Sequence, residues 1–164
     1  MYTLIIYLPL ISAIVGLTTG RFIGERGMSI MGPGIMVVCS ILSLIIFKDI
    51  IIDGNEVFIK GMTWMDIGGI FTINWGLKYD SLTATMLIVV LIVSTLVHIY
   101  STEYMSGDPH KVRFISYLSL FTFFMLILVT ASNYLQLFIG WEGKYNYASN
   151  GYLGLKLKID IFSL

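Results

Sequence analysis

Charge is scarce in this sequence. Only 12% of its 164 residues are Asp, Glu, Lys or Arg, against about 25% in a typical soluble domain. Neither sign is in excess, since ten basic side chains balance ten acidic ones, so the basic surface of a nucleic-acid binder is missing and no nucleic-acid partner is expected. Cysteine is nearly absent. Cys39 alone cannot make an internal disulfide or a cysteine-based metal site. The two histidines, His98 and His110, are too few and too far apart to hold a metal without carboxylate help. Glycine-rich phosphate loops and nucleophile elbows are also lacking, so no cofactor or redox centre is expected on this chain. What the sequence has instead is apolar side chains, 57% of the total, too many for a disordered chain and a poor fit to a water-soluble one. The expected class is an all-α polytopic membrane protein.

The few charges are clustered, and the clusters delimit the spans. Tyr2 to Gly20 is uncharged, with Pro9 as its one potential kink; Arg21, Glu25 and Arg26 then form a polar turn among Gly20, Gly24 and Gly27. Met28 to Phe47 and Ser81 to Thr102 are two further uncharged runs, the latter holding His98 near its end. At about 1.5 Å per residue each run measures roughly 30 Å, the thickness of bilayer hydrocarbon. Backbone amides in lipid must bond within their own segment, so these runs predict helices. The first lacks a basic leader and exceeds the usual apolar length of a signal peptide, so it is expected to be retained. Phe114 to Ala131 predicts a fourth helix, and Asn133 followed by Gln136 resembles a capping box opening a fifth. The short link between them implies an antiparallel helical hairpin.

Lys48 to Asp80 is the one substantial segment outside these runs. Its stretches Glu56–Lys60 and Ile70–Trp75 are β-branched and aromatic, and predict a β-hairpin between the second and third helices. Trp64 and Trp75 suit a position near the interface. Lys78 and Asp80 are expected to anchor the third helix by snorkelling. Arg21, Arg26, Lys111 and Arg113 in the two short loops place those loops weakly on the cytoplasmic or matrix side, with the N-terminus external. His98 is expected at the interface, the alternative being a proton carrier, and His110 in solvent, Asp108 and Pro109 in a turn, and Cys39 and the nine methionines in packing or lipid-facing positions.

The ordered motifs Ser81-Leu82-Thr83, Tyr104-Met105-Ser106-Gly107-Asp108-Pro109-His110, Arg113 to Phe121, Met125 to Val129, and above all Asn133 to Gly143 with Gly140-Trp141-Glu142-Gly143, carry a resemblance. Residues 1–143 resemble the N-terminal part of chain 5 of mitochondrial NADH:ubiquinone oxidoreductase, respiratory complex I. The resemblance implies an antiporter-like, proton-translocating subunit of the membrane arm, in the mitochondrial inner membrane, partnered by other membrane-arm subunits and the lipid bilayer. It implies that NADH, FMN, iron–sulfur clusters and ubiquinone belong to other subunits, with this chain inactive alone. The family carries a Glu on its fifth helix paired with a Lys on its seventh. Glu142 matches the first, and the second lies beyond these residues. Alternatives are a fragment of a cation/proton antiporter large subunit, which shares this helical family, or an inactive truncated membrane fragment.

Glu142 is the candidate proton-relay residue on physical grounds as well. Counted from Asn133 it lies roughly 14 Å into its helix, near the midplane, where a carboxylate costs at least ~2.5–3.5 kcal/mol and is a functional candidate by default. The bland alternative is that Glu142 simply ends an apolar run at the interface. No catalytic, cofactor or metal-ligating residue is assigned. After Gly143 the pattern departs from the family. Residues 144–151 are polar and turn-prone, and Leu153 to Ile161 alternates with a period of two, which predicts a strand and a fifth helix that is aborted or rebuilt. Residues 144–164 are therefore set apart as a divergent tail. It could arise by reading from an exon into an intron, or belong to a split subunit whose remaining helices come from a second chain or exon.

Overall fold

Gly24 supplies the first reversal of the chain. In the computed structural model, which describes residues 1–67, 71–107 and 110–162, helix α1 runs over Tyr2–Phe47, and its one non-helical residue is Gly24, at φ +72° and ψ 175°. Only a residue without a Cβ enters that region cheaply. The polar turn expected around Arg21 to Gly27 thus divides α1 into two arms. Pro9 and Pro33 stay within the helix, as prolines can in apolar spans where neighbouring groups satisfy the freed backbone. A π-turn, Lys48–Ile52, continues the second arm. Four segments, Tyr2–Gly20, Phe22–Ile52, Ser81–Tyr104 and Lys111–Val129, are long and apolar enough to cross a membrane, in agreement with the four runs read from the sequence.

The hairpin between the second and third spans is present and longer than expected. Strands β1 (Val57–Ile67) and β2 (Phe71–Tyr79) pair antiparallel from Val57 opposite Tyr79 to Ile67 opposite Phe71, with irregularities between Lys60 and Met65. Ile70, expected at the start of the second strand, lies outside the described residues. Trp64 and Trp75 meet edge to face at 6.0 Å. Helix α2 (Ser81–Tyr104) follows β2 directly. Its start is set by Asp80, whose carboxylate accepts from the Thr83 amide at 2.8 Å, the hydrogen bond of an N-cap. Lys78 lies 3.0 Å from the same carboxylate. Both contacts hold the Asp80 carboxyl down to about 2, the Thr83 amide being the larger cause. The two residues therefore work as a cap and its partner.

Helices α3 (Lys111–Val129) and α4 (Tyr134–Phe162) complete the chain. The two arms of α1 pack on α2 and α3, and α3 packs on α4, so the short link between α3 and α4 makes the expected hairpin. Buried side chains from α1, α2, α3 and the end of β2 share one core, including Ile5, Met36, Leu87, Leu91, Leu126 and Tyr79. The Tyr79 hydroxyl donates to the Tyr2 carbonyl at 2.7 Å, and Tyr2 in turn donates to the Asp49 carboxylate. The outward face of α2 is apolar and bare: Leu82 is 73% and Leu96 61% exposed. In water such a face is a liability, and in lipid it is the expected surface.

The structure corrects the reading of residues 153–161. α4 continues without interruption from Tyr134 to Phe162, so Leu153 to Ile161 is helical rather than a strand. The period-two pattern is short, and most of it consists of Leu and Lys, which are good helix formers. Extending an existing helix adds one hydrogen bond per residue and needs no new nucleus. α4 is not among the four segments apolar enough to cross a membrane. Its apolar part ends near Glu142, which leaves a partial fifth span.

Candidate functional site

Glu142 is held by a chain of contacts that begins in the β-hairpin. The Lys78 amide donates to the Thr130 carbonyl at 3.0 Å, just beyond the C-terminus of α3. The Asn133 side-chain amide donates to the Asn74 carbonyl at 2.8 Å. The Asn133 side-chain oxygen accepts from the Gln136 amide at 2.8 Å, which is one half of the expected capping box. The other half is redirected: the Gln136 side chain is fully buried, and its oxygen accepts from the Gly76 amide at 3.4 Å. β2 therefore fixes where α4 starts.

Gly140 fixes how closely α4 lies on α3. A Cβ at this position would stand 2.8 Å from the Leu128 backbone nitrogen and 2.9 Å from its Cα, so only glycine permits this approach. Eight residues, or roughly 12 Å, separate Tyr134 from Glu142 along α4. Glu142 is exposed on the isolated chain. It borders an open cleft of about 530 Å³, lined also by Phe124, Phe138, Ile139, Asn146 and Tyr147. The Phe124 and Tyr147 rings stack at 5.3 Å on one wall.

The carboxylate has no ion-pair partner among the described residues. Lys144 is close in sequence, but residues two apart do not share a helix face. Its ammonium lies 4.3 Å from the centre of the Trp141 ring instead. The arrangement is an acid on an aromatic-walled cleft, open towards whatever lies against α4. Such a group can accept and release a proton, and nothing within the described residues neutralises it.

His98 departs from expectation. It is fully buried between helices rather than at an interface. The apolar run placed it two residues from a helix end, but α2 extends to Tyr104. Gly32, on the second arm of α1, lies near the ring and packs closely on Ile115 of α3. The imidazole Nδ1 lies 2.8 Å from the Ser94 carbonyl and Nε2 3.1 Å from the Ser119 hydroxyl. Ser12, Ser94, Ser119 and Thr122, which surround it, were not singled out from the sequence. The available signal was spacing: Ser94 and His98 are four apart, while Ser116, Ser119 and Thr122 recur every three residues on an otherwise apolar helix.

The remaining candidates are dispersed. Cys39 is buried, in packing, with its sulfur 3.9 Å from the Ile5 carbonyl. His110 is exposed at the start of α3, as expected. Asp108 and Pro109 lie outside the described residues. Among the described residues no group of three His, Cys, Asp or Glu side chains could hold a metal ion.

Comparison with known proteins agrees with the motifs. Residues 64–115 match the sequence family described as NADH-Ubiquinone oxidoreductase (complex I), chain 5 N-terminus. The NADH-ubiquinone oxidoreductase chain 5 of Metridium senile is 52% identical over 143 residues, which is 87% of this chain and 24% of that protein. The Rhizopus stolonifer protein of the same name is 52% identical over the same length, 22% of its own. That of Arabidopsis thaliana is 49% identical, again over 143 residues and 21% of its own length. The chain thus spans about a quarter or less of the length of these relatives. With the span order, the hairpin and the Gly140–Gly143 motif in place, the chain is similar to the N-terminal segment of NADH-ubiquinone oxidoreductase chain 5.

Proposed function

We propose that this chain supplies the first helices of a proton-translocating subunit in the membrane arm of respiratory NADH:ubiquinone oxidoreductase, in the inner mitochondrial membrane. The observation that carries the reading is the joint occurrence of roughly half-identical sequence over 143 residues and a carboxylate, Glu142, without an ion pair among the described residues, on the helix that the β-hairpin and Gly140 hold against α3. Glu142 is the proton-exchanging group, and its relay partners lie in protein beyond these residues, in the same subunit or a neighbouring polypeptide. Electron transfer, with its NADH, flavin, iron–sulfur and quinone chemistry, belongs to other subunits. The chain has no pumping activity alone, because a relay requires successive ionisable sites at membrane depth.

Residues 1–143 form the transmembrane unit in this reading, and residues 144–164 a divergent tail, of which 144–162 continue α4. The similarity supports this boundary, since it covers 143 residues and 87% of the chain. Mass spectrometry of the purified respiratory complex tests the assignment. Peptides from both parts of the chain, including residues 144–164, are expected to co-purify with membrane-arm subunits. A chain found in the membrane but never in the complex would contradict membership of the assembly.

A further inference from the structure

Among the described residues, two buried side-chain polar atoms have no hydrogen-bond partner in the protein: the Asn74 oxygen Oδ1 and the Gln136 nitrogen Nε2. Buried polar groups are otherwise paired, because an unpaired one forfeits the bonds it made with water in the unfolded chain. Both orphans belong to one joint, where β2 meets the start of α4. Gln136 is fully buried there, and its oxygen already accepts from the Gly76 amide at 3.4 Å. That contact fixes which end of the side-chain amide is which, so the nitrogen is the end left over. Asn74 and Gly76 stand two apart on β2 and therefore share a face of the strand. A Cβ on Gly76 would stand 2.9 Å from the Ser132 hydroxyl oxygen, so this face is turned towards the link between α3 and α4. The Asn74 carbonyl meets the same link, accepting from the Asn133 side chain at 2.8 Å.

The two orphans are opposite in kind: Nε2 can only donate and Oδ1 can only accept. They do not bond to each other, and turning the Gln136 amide to bring them together would give up the Gly76 bond. A cation would suit Oδ1 but would meet the hydrogens of Nε2. An anion would suit Nε2 but would be repelled by Oδ1. Both atoms are closed off by the chain itself, so a lipid headgroup or a neighbouring subunit's side chain does not reach them from outside. What answers both is a small neutral molecule that accepts on one side and donates on the other.

We propose that one water molecule is a built-in part of this joint, accepting from Gln136 Nε2 and donating to Asn74 Oδ1. Buried waters take this role, bridging groups that the protein leaves unpaired. The water is a further tie from β2 to the first turn of α4, beside those through Gly76 and Asn133, on the helix that carries Glu142. It makes no use of the proton chemistry assigned to Glu142, so the two stand or fall separately.

The test uses the full chain in lipid nanodiscs, with nitrogen-15 in its glutamine side chain. Gln136 is the one glutamine in the sequence, so a single pair of amide proton signals reports on the joint. Those protons are expected to show a rotating-frame cross-peak at the water frequency with the sign of through-space contact, the mark of a water held beside them. Absence of that peak, or a peak with the sign of chemical exchange alone, overturns the proposal. Asn74→Leu keeps the approximate shape of the side chain and the backbone carbonyl that Asn133 binds, but removes the acceptor. The cross-peak is expected to disappear, and its persistence at full strength would overturn the bridge to Asn74. Ser132→Ala removes the hydroxyl beside Gly76, a rival source of protons that exchange with water. The cross-peak is expected to remain in that variant, and its loss would assign the signal to the hydroxyl and overturn the proposal. If Asn74→Leu fails to fold, the unsubstituted chain and Ser132→Ala decide between them.

Discussion

Proton transfer through this subunit is expected to fall by about 100-fold or more when Glu142 is replaced by Gln in a respiratory complex containing the chain, the loss typical of removing a positioned acid–base group. Gln keeps the size and polarity of the side chain and removes only its capacity to ionise. Glu142 faces the open cleft without an ion pair among the described residues, so the exchange leaves α4 and its packing on α3 intact. The measurement is the number of protons moved per electron in reconstituted vesicles. Electron transfer from NADH is expected to persist, since this chain is assigned no redox group. Unchanged pumping would support the view of the chain as a structural membrane element.

A second large effect is expected at Gly140. Its Cβ position lies within 3 Å of Leu128 backbone atoms, and backbone cannot swing aside as a long side chain can. Gly140→Val therefore forces α4 away from α3, at a cost of about 1–3 kcal/mol or more for overpacking a tight contact. The displacement reaches Glu142 and removes the cleft wall formed by Phe124 and Tyr147. Thermal unfolding of the chain in detergent, followed by helicity, is expected to shift to lower temperature. The loss should exceed that of an exposed change such as Ser149→Ala. Equal stability would mean that the α3–α4 approach is looser than the geometry implies.

Much of the architecture was legible because lipid imposes a simple rule: charge ends a span. The runs beginning at Tyr2, Met28, Ser81 and Phe114 became four helices, with ends that moved by a few residues. The hairpin was legible from its β-branched and aromatic residues, and the start of α4 from Asn133 and Gln136. Glu142 was legible as an acid roughly 14 Å into its helix, but the contacts that position it were not. They pass through Gly76, Asn74 and Leu128, which are distant in sequence and carry no motif of their own.

Two readings failed for physical reasons that are instructive. His98 was placed by counting to the end of an apolar run, which ignores that a helix can continue through polar residues such as Glu103. Its Nε2 faces Ser119 of another helix, and no local pattern reports that. The last segment was read as a strand from the nine alternating residues Leu153 to Ile161. A helix already formed upstream overrides so weak a signal, because continuing it is cheaper than ending it.

The most direct measurement is infrared difference spectroscopy of the assembled complex during turnover, with carbon-13 in its glutamate carboxyls. The account predicts a carboxyl band that rises and falls as electrons pass from NADH, shifts with the isotope, and disappears in Glu142→Gln. A Glu142 that stays ionised throughout turnover, with the band untouched by its replacement, would contradict the claim that this side chain takes and releases the translocated proton.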